Sequence, residues 1–350
     1  MFPVLVIFFA LLPLYLIRFS VFSIPTTLLE VLFWIIFVFW LTHHRKNILR
    51  PLKIIWKRHP SHMIALGLFI LAATIAIFTS TDMRAAAGEW KAFYIEPILM
   101  GLMLVSTIKT RKQVEYILFG LLLTGLAVSM LAVYQHFTGW MVPEAFWTNN
   151  NSYRVTAWYG FPNGVGLLLA PLVPIALYFV VAFWPHKNLR RPKSKTSSTQ
   201  KNTLKTHKLF FYTALAALPL MLLAIFYAKS TGGLVGEAGA IGLLLLLYKK
   251  TRWWIAGAGI VALLGLALLP AQNPIKQELL LRDRSGQIRV HMWKETARFL
   301  ADHPIQGAGL AAYSERIEPY HTRVHGEGIE IFHHPHNIFH TMWVNLGILG

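Results

Sequence analysis

Nine long apolar runs, at 2–18, 25–42, 62–79, 92–108, 114–136, 162–183, 209–228, 232–248 and 253–269, with a tenth beginning near 336, constrain this chain more than any other feature. A helix needs about 20 apolar residues to cross a bilayer, and in hydrocarbon the backbone must satisfy its own hydrogen bonds. The expected fold is therefore an all-α polytopic membrane protein with about ten transmembrane helices. The last is truncated, because the tenth run stops at Gly350, too short to cross at about 1.5 Å per residue. Composition agrees: 55% hydrophobic residues, 14% charged residues and a mean hydropathy of +0.50 do not suit a globule with a polar surface. The opening "MFPVLVIFFALLPLYLI" has no basic n-region and no small-residue cleavage site, so it reads as a retained first span.

The net charge of +18 is distributed as a topology signal. Basic residues gather in the loops 43–61 (Arg45, Lys46, Arg50, Lys53, Lys57, Arg58), 109–113, 184–208 and 249–252, all on one side if the spans alternate; that side is the cytoplasm. Nucleic acid is not expected as a partner, whereas membrane lipids are. The polar stretch 184–208, with eight basic residues, reads as a cytoplasmic linker between N-terminal transmembrane helices at 1–183 and a second region at 209–350. The same parity puts 80–91, 137–161, 229–231 and the long loop 270–335 outside. With no cysteine, disulfides and thiolate chemistry are excluded. No Walker loop, Gly-x-Gly-x-x-Gly fingerprint or His-Glu-x-x-His motif is present, so ATP-driven transport has no support within the chain and no cofactor is expected.

A loop of about 65 residues is too long for a mere connector. Within it, "SGQIRVHMWKETARFLADHPIQGAGLAAY" repeats apolar residues at helical spacing, at Ile288, Met292, Phe299 and Leu300, before Pro304, Gly307 and Gly309 end the pattern. An amphipathic helix on the outer membrane surface is expected. Arg289 and Trp293, four apart, share one face, where a phosphate can dock. Further on, "IFHHPHNIFHTMWVNLG" gathers His333, His334, His336 and His340 at the entry to the last apolar run.

Three features occur in order: Arg289 with Trp293, Pro304 with Gly307 and Gly309, and His336 with Asn337 leading into Gly347 and Gly350. The set resembles the O-antigen ligase and polymerase family of bacterial membrane proteins, whose pattern is R-x-x-x-W, P-x-x-G-x-G, then H-N and G-x-x-G. Arg154, Pro162 and Asn163 in "YRVTAWYGFPNGVGLLLAPL" are similar to a further segment of that family. Two positions depart from it. Thr231, in "KSTGG", stands where the family usually has arginine, and Lys229 is the neighbouring cation; Asn345 stands where many members carry glutamate.

The resemblance implies transfer of a glycan from a polyprenyl pyrophosphate donor to an acceptor hydroxyl, on the periplasmic side of the bacterial inner membrane, inverting and independent of metal. The acceptor it implies is the lipid A core for a ligase; a growing glycan for a polymerase and a serine or threonine for a protein O-oligosaccharyltransferase are the alternatives. His336 is the expected base and Arg289 the expected cation at the leaving pyrophosphate. Arg154, Lys229, His334, Asn337 and Trp293 are the expected contacts to pyrophosphate or glycan.

Rival readings rest on the same residues. A metal site would draw on His321, His325, His334, His336, His340, Glu327 and Glu330. A solute or lipid carrier would use acids within spans, here Glu96 and Glu237. For His303, His321 and His325 the expectation is no chemistry at all.

Overall fold

Helices follow from the apolar runs, and the computed structural model describes them over residues 1–22, 24–44, 49–143, 153–185, 198–324, 327–328 and 331–350. Arg45 and Lys46 of the first basic loop, the middle of the 184–208 linker, part of the 137–161 loop, and His325 and Glu330 lie outside the described residues. In chain order come α1 (Phe2–Ala10), a hairpin of β1 (Arg18–Val21) and β2 (Ile24–Thr27), α2 (Leu28–His44), α3 (Leu49–Arg58), α4 (Pro60–Phe78), α5 (Met83–Glu89) and α6 (Glu96–Thr107). Then follow α7 (Arg111–Thr138), α8 (Pro162–Leu169), α9 (Val173–Ala182), α10 (Ser198–Tyr227), α11 (Thr231–Leu247) and α12 (Arg252–Leu268). The outer loop holds α13 (Pro274–Leu279), α14 (Arg284–Asp302), α15 (Tyr313–Arg316) and a hairpin of β3 (Arg323–Val324) with β4 (Glu327–Gly328), before α16 (Ile338–Leu346).

Four helical stretches among the described residues are long and apolar enough to cross a membrane: Pro60–Phe78, Arg111–Thr138, Pro162–Ala182 and Leu204–Tyr227. Shorter apolar helices occupy Leu28–His43, Thr231–Leu247, Arg252–Leu268 and Ile338–Leu349. The expected first span, 2–18, is not one continuous helix. Pro13 has no N–H to give and its ring crowds the carbonyl four residues back, so α1 ends and Leu12–Leu16 winds as a 3-10 turn. The Phe9 carbonyl accepts instead from the Thr124 hydroxyl at 2.8 Å. In the expected fourth span, Trp90–Ile95 winds as a π-helix just before α6.

The chain divides into two compact units, Met1–Thr42 with Thr107–Ala258, and His43–Ser106 with Gly259–Gly350. The first is built around α7. A capping box at Thr110 and Gln113 starts this helix and left-handed Gly139 ends it. Leu122, Val128, Phe179, Ala214, Met221 and Ile225 form its buried core, and Phe210 packs against both Phe119 and Phe179 with ring centroids 4.6 and 5.1 Å apart.

In the second unit, Ala72, Ala73 and Ala76 of α4 pack with Tyr94, Leu310 and Leu346. Phe299 and Leu300 of α14 bury against Ala308, Ala312, Tyr313, Ile317 and Val344. The apolar stripe read as membrane-facing is therefore covered in good part by the chain's own 308–317 segment and by α16. The interior also takes polar residues of α14, with Glu295 and Thr296 both buried.

Candidate active site

Each unit gathers part of the expected set. In the first, the buried amide of Gln135 donates to the Ala157 carbonyl at 2.9 Å and accepts from the Thr156 and Ala157 N–H groups at 3.0 and 2.7 Å. That clamp fixes the 153–157 segment and with it Arg154. The Arg154 guanidinium donates to the Ala228 and Lys229 carbonyls at 2.7 and 2.9 Å and to Asn163 Oδ1 at 3.1 Å. Arg154, Asn163 and Lys229, far apart in sequence, thus meet at the C-terminal end of α10. Lys229 sits in the left-handed region, at φ +46°, with its side chain exposed. Much of the hydrogen-bonding capacity of Arg154 is committed to backbone, which the sequence does not reveal.

In the second unit, α14 is capped by Asp283, whose carboxylate accepts from the Gly286 N–H at 3.1 Å. One turn on, Arg289 and Trp293 project from a shared face, as their spacing of four requires. The Trp293 indole N–H donates to the Pro335 carbonyl at 2.8 Å, fixing the residue next to His336 against the helix that carries Arg289. His336 itself is in the left-handed region at φ +49°, uncommon for a residue with a Cβ and a local cost of the kind that gathers at working sites. Asn337 then caps α16, its Oδ1 accepting from the Phe339 and His340 N–H groups at 3.0 and 3.3 Å.

The His336 imidazole keeps a solvent-facing side but meets the rings of His334 and Phe332, with centroids 4.6 and 4.9 Å away. Desolvation, then the charges of His334 and Arg289, hold its pKa below the ordinary 6.5. Desolvation and the neighbouring His333 do the same to His334. At neutral pH His336 is thus an uncharged proton acceptor. Arg289, partly buried, makes no hydrogen bond or ion pair among the described residues. A cation without a protein partner among the described residues, beside a neutral imidazole, has the composition of an anion site with a base at its edge.

The glycine turn explains how this corner is held. Gly307 and Gly309 have φ of +62° and +85°. A Cβ at Gly307 would lie 2.3 Å from the Val344 carbonyl oxygen, and one at Gly309 2.7 Å from the Ser80 nitrogen. Without side chains there, the Ala308 N–H reaches the Val344 carbonyl at 2.7 Å and the Leu310 N–H the Ala76 carbonyl at 3.2 Å. The Trp343 indole adds a bond to the Pro304 carbonyl at 2.8 Å. The turn thus locks α16, whose first turn follows His336, to α4 and α14.

Residues 216–350 match the model of the O-antigen ligase family. Over that stretch the chain is similar to O-antigen ligases. No curated protein and no solved structure matches it. The match supports a membrane glycosyltransferase of the O-antigen ligase and polymerase type.

Of the residues expected at an O-antigen ligase site, Arg289, Trp293, His334, His336 and Asn337 come together in the second unit, and Arg154 and Lys229 in the first. Of the rival metal set, His325 and Glu330 lie outside the described residues; among the described residues, no three His, Asp or Glu side chains gather at metal-binding range. His321 is instead 3.5 Å from Glu295. Glu237 is 6% exposed and its Oε2 has no partner among the described residues, so neither an arginine nor a lysine pairs with it there.

Sequence reasoning missed Gln135, Glu295 and Glu89. Asn345, which the sequence left without a role, donates to Glu89 at 3.2 Å. Burial raises the Glu89 pKa, opposed by a backbone bond from Ala311. Each of the three missed residues binds groups distant in sequence, so no local spacing marks it.

Proposed function

We propose that this chain transfers a glycan from a polyprenyl pyrophosphate to the lipid A core, on the periplasmic side of the bacterial inner membrane, with inversion at the anomeric carbon. The observation that carries the reading is the bond from Trp293 to the Pro335 carbonyl, which sets His336 against the helix bearing Arg289.

In the proposed step the acceptor hydroxyl gives its proton to the His336 imidazole while its oxygen attacks the anomeric carbon. The bond from that carbon to the pyrophosphate oxygen breaks, and polyprenyl pyrophosphate leaves with the electron pair. Arg289 stabilises the charge that grows on the leaving group, and no proton has to be supplied to it. A neutral imidazole suits the first task, because only the uncharged form accepts a proton. Lys229, whose side chain is exposed, is proposed as a further contact to pyrophosphate or glycan, and Arg154, expected from the sequence to be another, is proposed instead to hold the turn that carries Lys229. His334, Asn337 and Trp293 are proposed to shape the acceptor side. No metal enters this chemistry.

The test is glycolipid analysis in cells that depend on this chain. His336→Ala and Arg289→Ala are expected to abolish mature surface polysaccharide and leave long polymer on the polyprenyl carrier. Accumulation of single repeats instead assigns a polymerase. Unchanged polysaccharide with a fall in solute uptake sinks the transferase reading and favours a carrier.

A further inference from the structure

Glu295 is 3% exposed, and a carboxylate in such a place is costly unless its lone pairs are met. Its Oε1 accepts from both the Thr322 N–H, at 2.7 Å, and the Thr322 hydroxyl, at 2.5 Å. Its Oε2 lies 3.5 Å from His321 Nδ1. Thr322 is the last residue before β3, so this carboxylate grips the chain where the hairpin loop leaves α14. Where the loop returns, Trp293 holds Pro335. Two side chains of one helix, two residues apart, thus tie down, at Thr322 and at Pro335, the segment that carries His334 and leads directly into His336.

Between the ties lies a small cavity whose walls include Met292, Glu295, Tyr313, Ile317, His321 and Phe332. The Tyr313 hydroxyl faces Thr296 Oγ1 at 2.9 Å, closing that wall. Phe332 links the cavity to the chemistry, since the same ring meets the His336 imidazole edge-on at 4.9 Å. Apolar side chains would fill this space with less desolvation cost than a carboxylate. What an apolar residue cannot do is accept two bonds from one threonine and so fix the register of the loop.

We infer that Glu295 is a positioning residue for glycosyl transfer: by anchoring Thr322 it keeps Phe332 against His336 and the imidazole in register with Arg289. The inference rests on His336 being the base. Among the described residues, the titratable groups around the anchor are His321, which precedes Thr322, and Tyr313 on α15, and the charged or titratable groups around the imidazole are His334 and Arg289.

The test uses the full chain in lipid vesicles, with a polyprenyl-pyrophosphate-linked glycan as donor and an acceptor lipid. Rates are measured across pH for Glu295→Ala, Glu295→Gln, Thr322→Val and His336→Ala. Glu295→Ala is expected to lower kcat about tenfold, leave the donor KM within about twofold, and move the acid limb of kcat up toward about pH 6.5 as water reaches the imidazole. Glu295→Gln, which still accepts from Thr322, should recover most of the rate and the original limb. Thr322→Val should shift the limb part of the way, and it carries the test if Glu295→Ala does not fold. A limb that stays put in the folded variant overturns the inference, even where the rate falls, because a merely structural role lowers the amount of active protein without retuning the base. Full activity in His336→Ala would overturn the base reading itself, and this inference with it. Loss of activity in His336→Ala beside wild-type behaviour in Glu295→Ala and Thr322→Val overturns this inference alone.

Discussion

Arg154 and Arg289 are the same residue type put to opposite uses. Arg154, in the first unit, gives its guanidinium to the Ala228 and Lys229 carbonyls and to Asn163. Arg289, in the second, makes no hydrogen bond or ion pair among the described residues and stands near a histidine with strained backbone. An arginine bound to carbonyls holds a chain turn in place. An arginine left unmatched keeps its planar fork for a phosphate. The contrast separates residues that build the protein from residues that act, and substitutions at the two arginines should therefore fail in different ways.

The largest effect is expected at the acting pair. His336→Ala should lower transfer by about 10² to 10⁴, the range for loss of a general base, with little change in thermal stability. Arg289→Ala should cost about 10² or more, and Arg289→Lys should restore only part of it, since an ammonium offers a point charge and no fork. If Arg289→Lys is fully active, the contrast between the two arginines loses its chemical half.

The pH dependence sharpens it further. His336 has a pKa below 6.5, so the base is present above that value and is lost as pH falls through it. Transfer should hold steady from pH 8 to 6.5 and fall about tenfold per unit only below the depressed pKa. A rate already falling between pH 8 and 7 would show that another group titrates in the step.

Stability effects come next. Gly309→Ala would place a Cβ 2.7 Å from the Ser80 nitrogen at φ +85°, and should cost about 2 kcal/mol or more in thermal unfolding. Arg154→Ala should cost about 2 kcal/mol, the worth of charge-assisted bonds, and depress activity in proportion to folded protein. Should Arg154→Ala fold normally and yet lose donor binding, the assignment of this arginine to structure is broken. Asn337→Ala, which removes the cap of α16, should cost about 1 kcal/mol.

What was legible beforehand sorts along the same line. The spacing of Arg289 and Trp293 defines one helix face, and the apolar run beginning near 336 marks a further helix; both are local patterns and both recur in the fold. Long apolar runs gave α4, α7 and α10 because nothing interrupts their hydrogen bonding except Pro219 in α10. The run 2–18 misled because hydropathy does not register that Pro13 removes a donor. The face of α14 assigned to lipid is in good part met by protein, since periodicity tells that a stripe is buried and not what buries it. Gln135, Glu89 and Glu295 were silent for a further reason. Their partners are backbone groups or side chains many residues away, and only the folded chain brings these together.

The most direct measurement is donor binding and single-turnover transfer by purified His336→Ala in lipid vesicles, set beside Arg289→Ala. Expected are near-native donor binding with almost no transfer for His336→Ala, and weakened binding together with lost transfer for Arg289→Ala. Transfer by His336→Ala at the rate of the unaltered protein would contradict the role of His336 as the base.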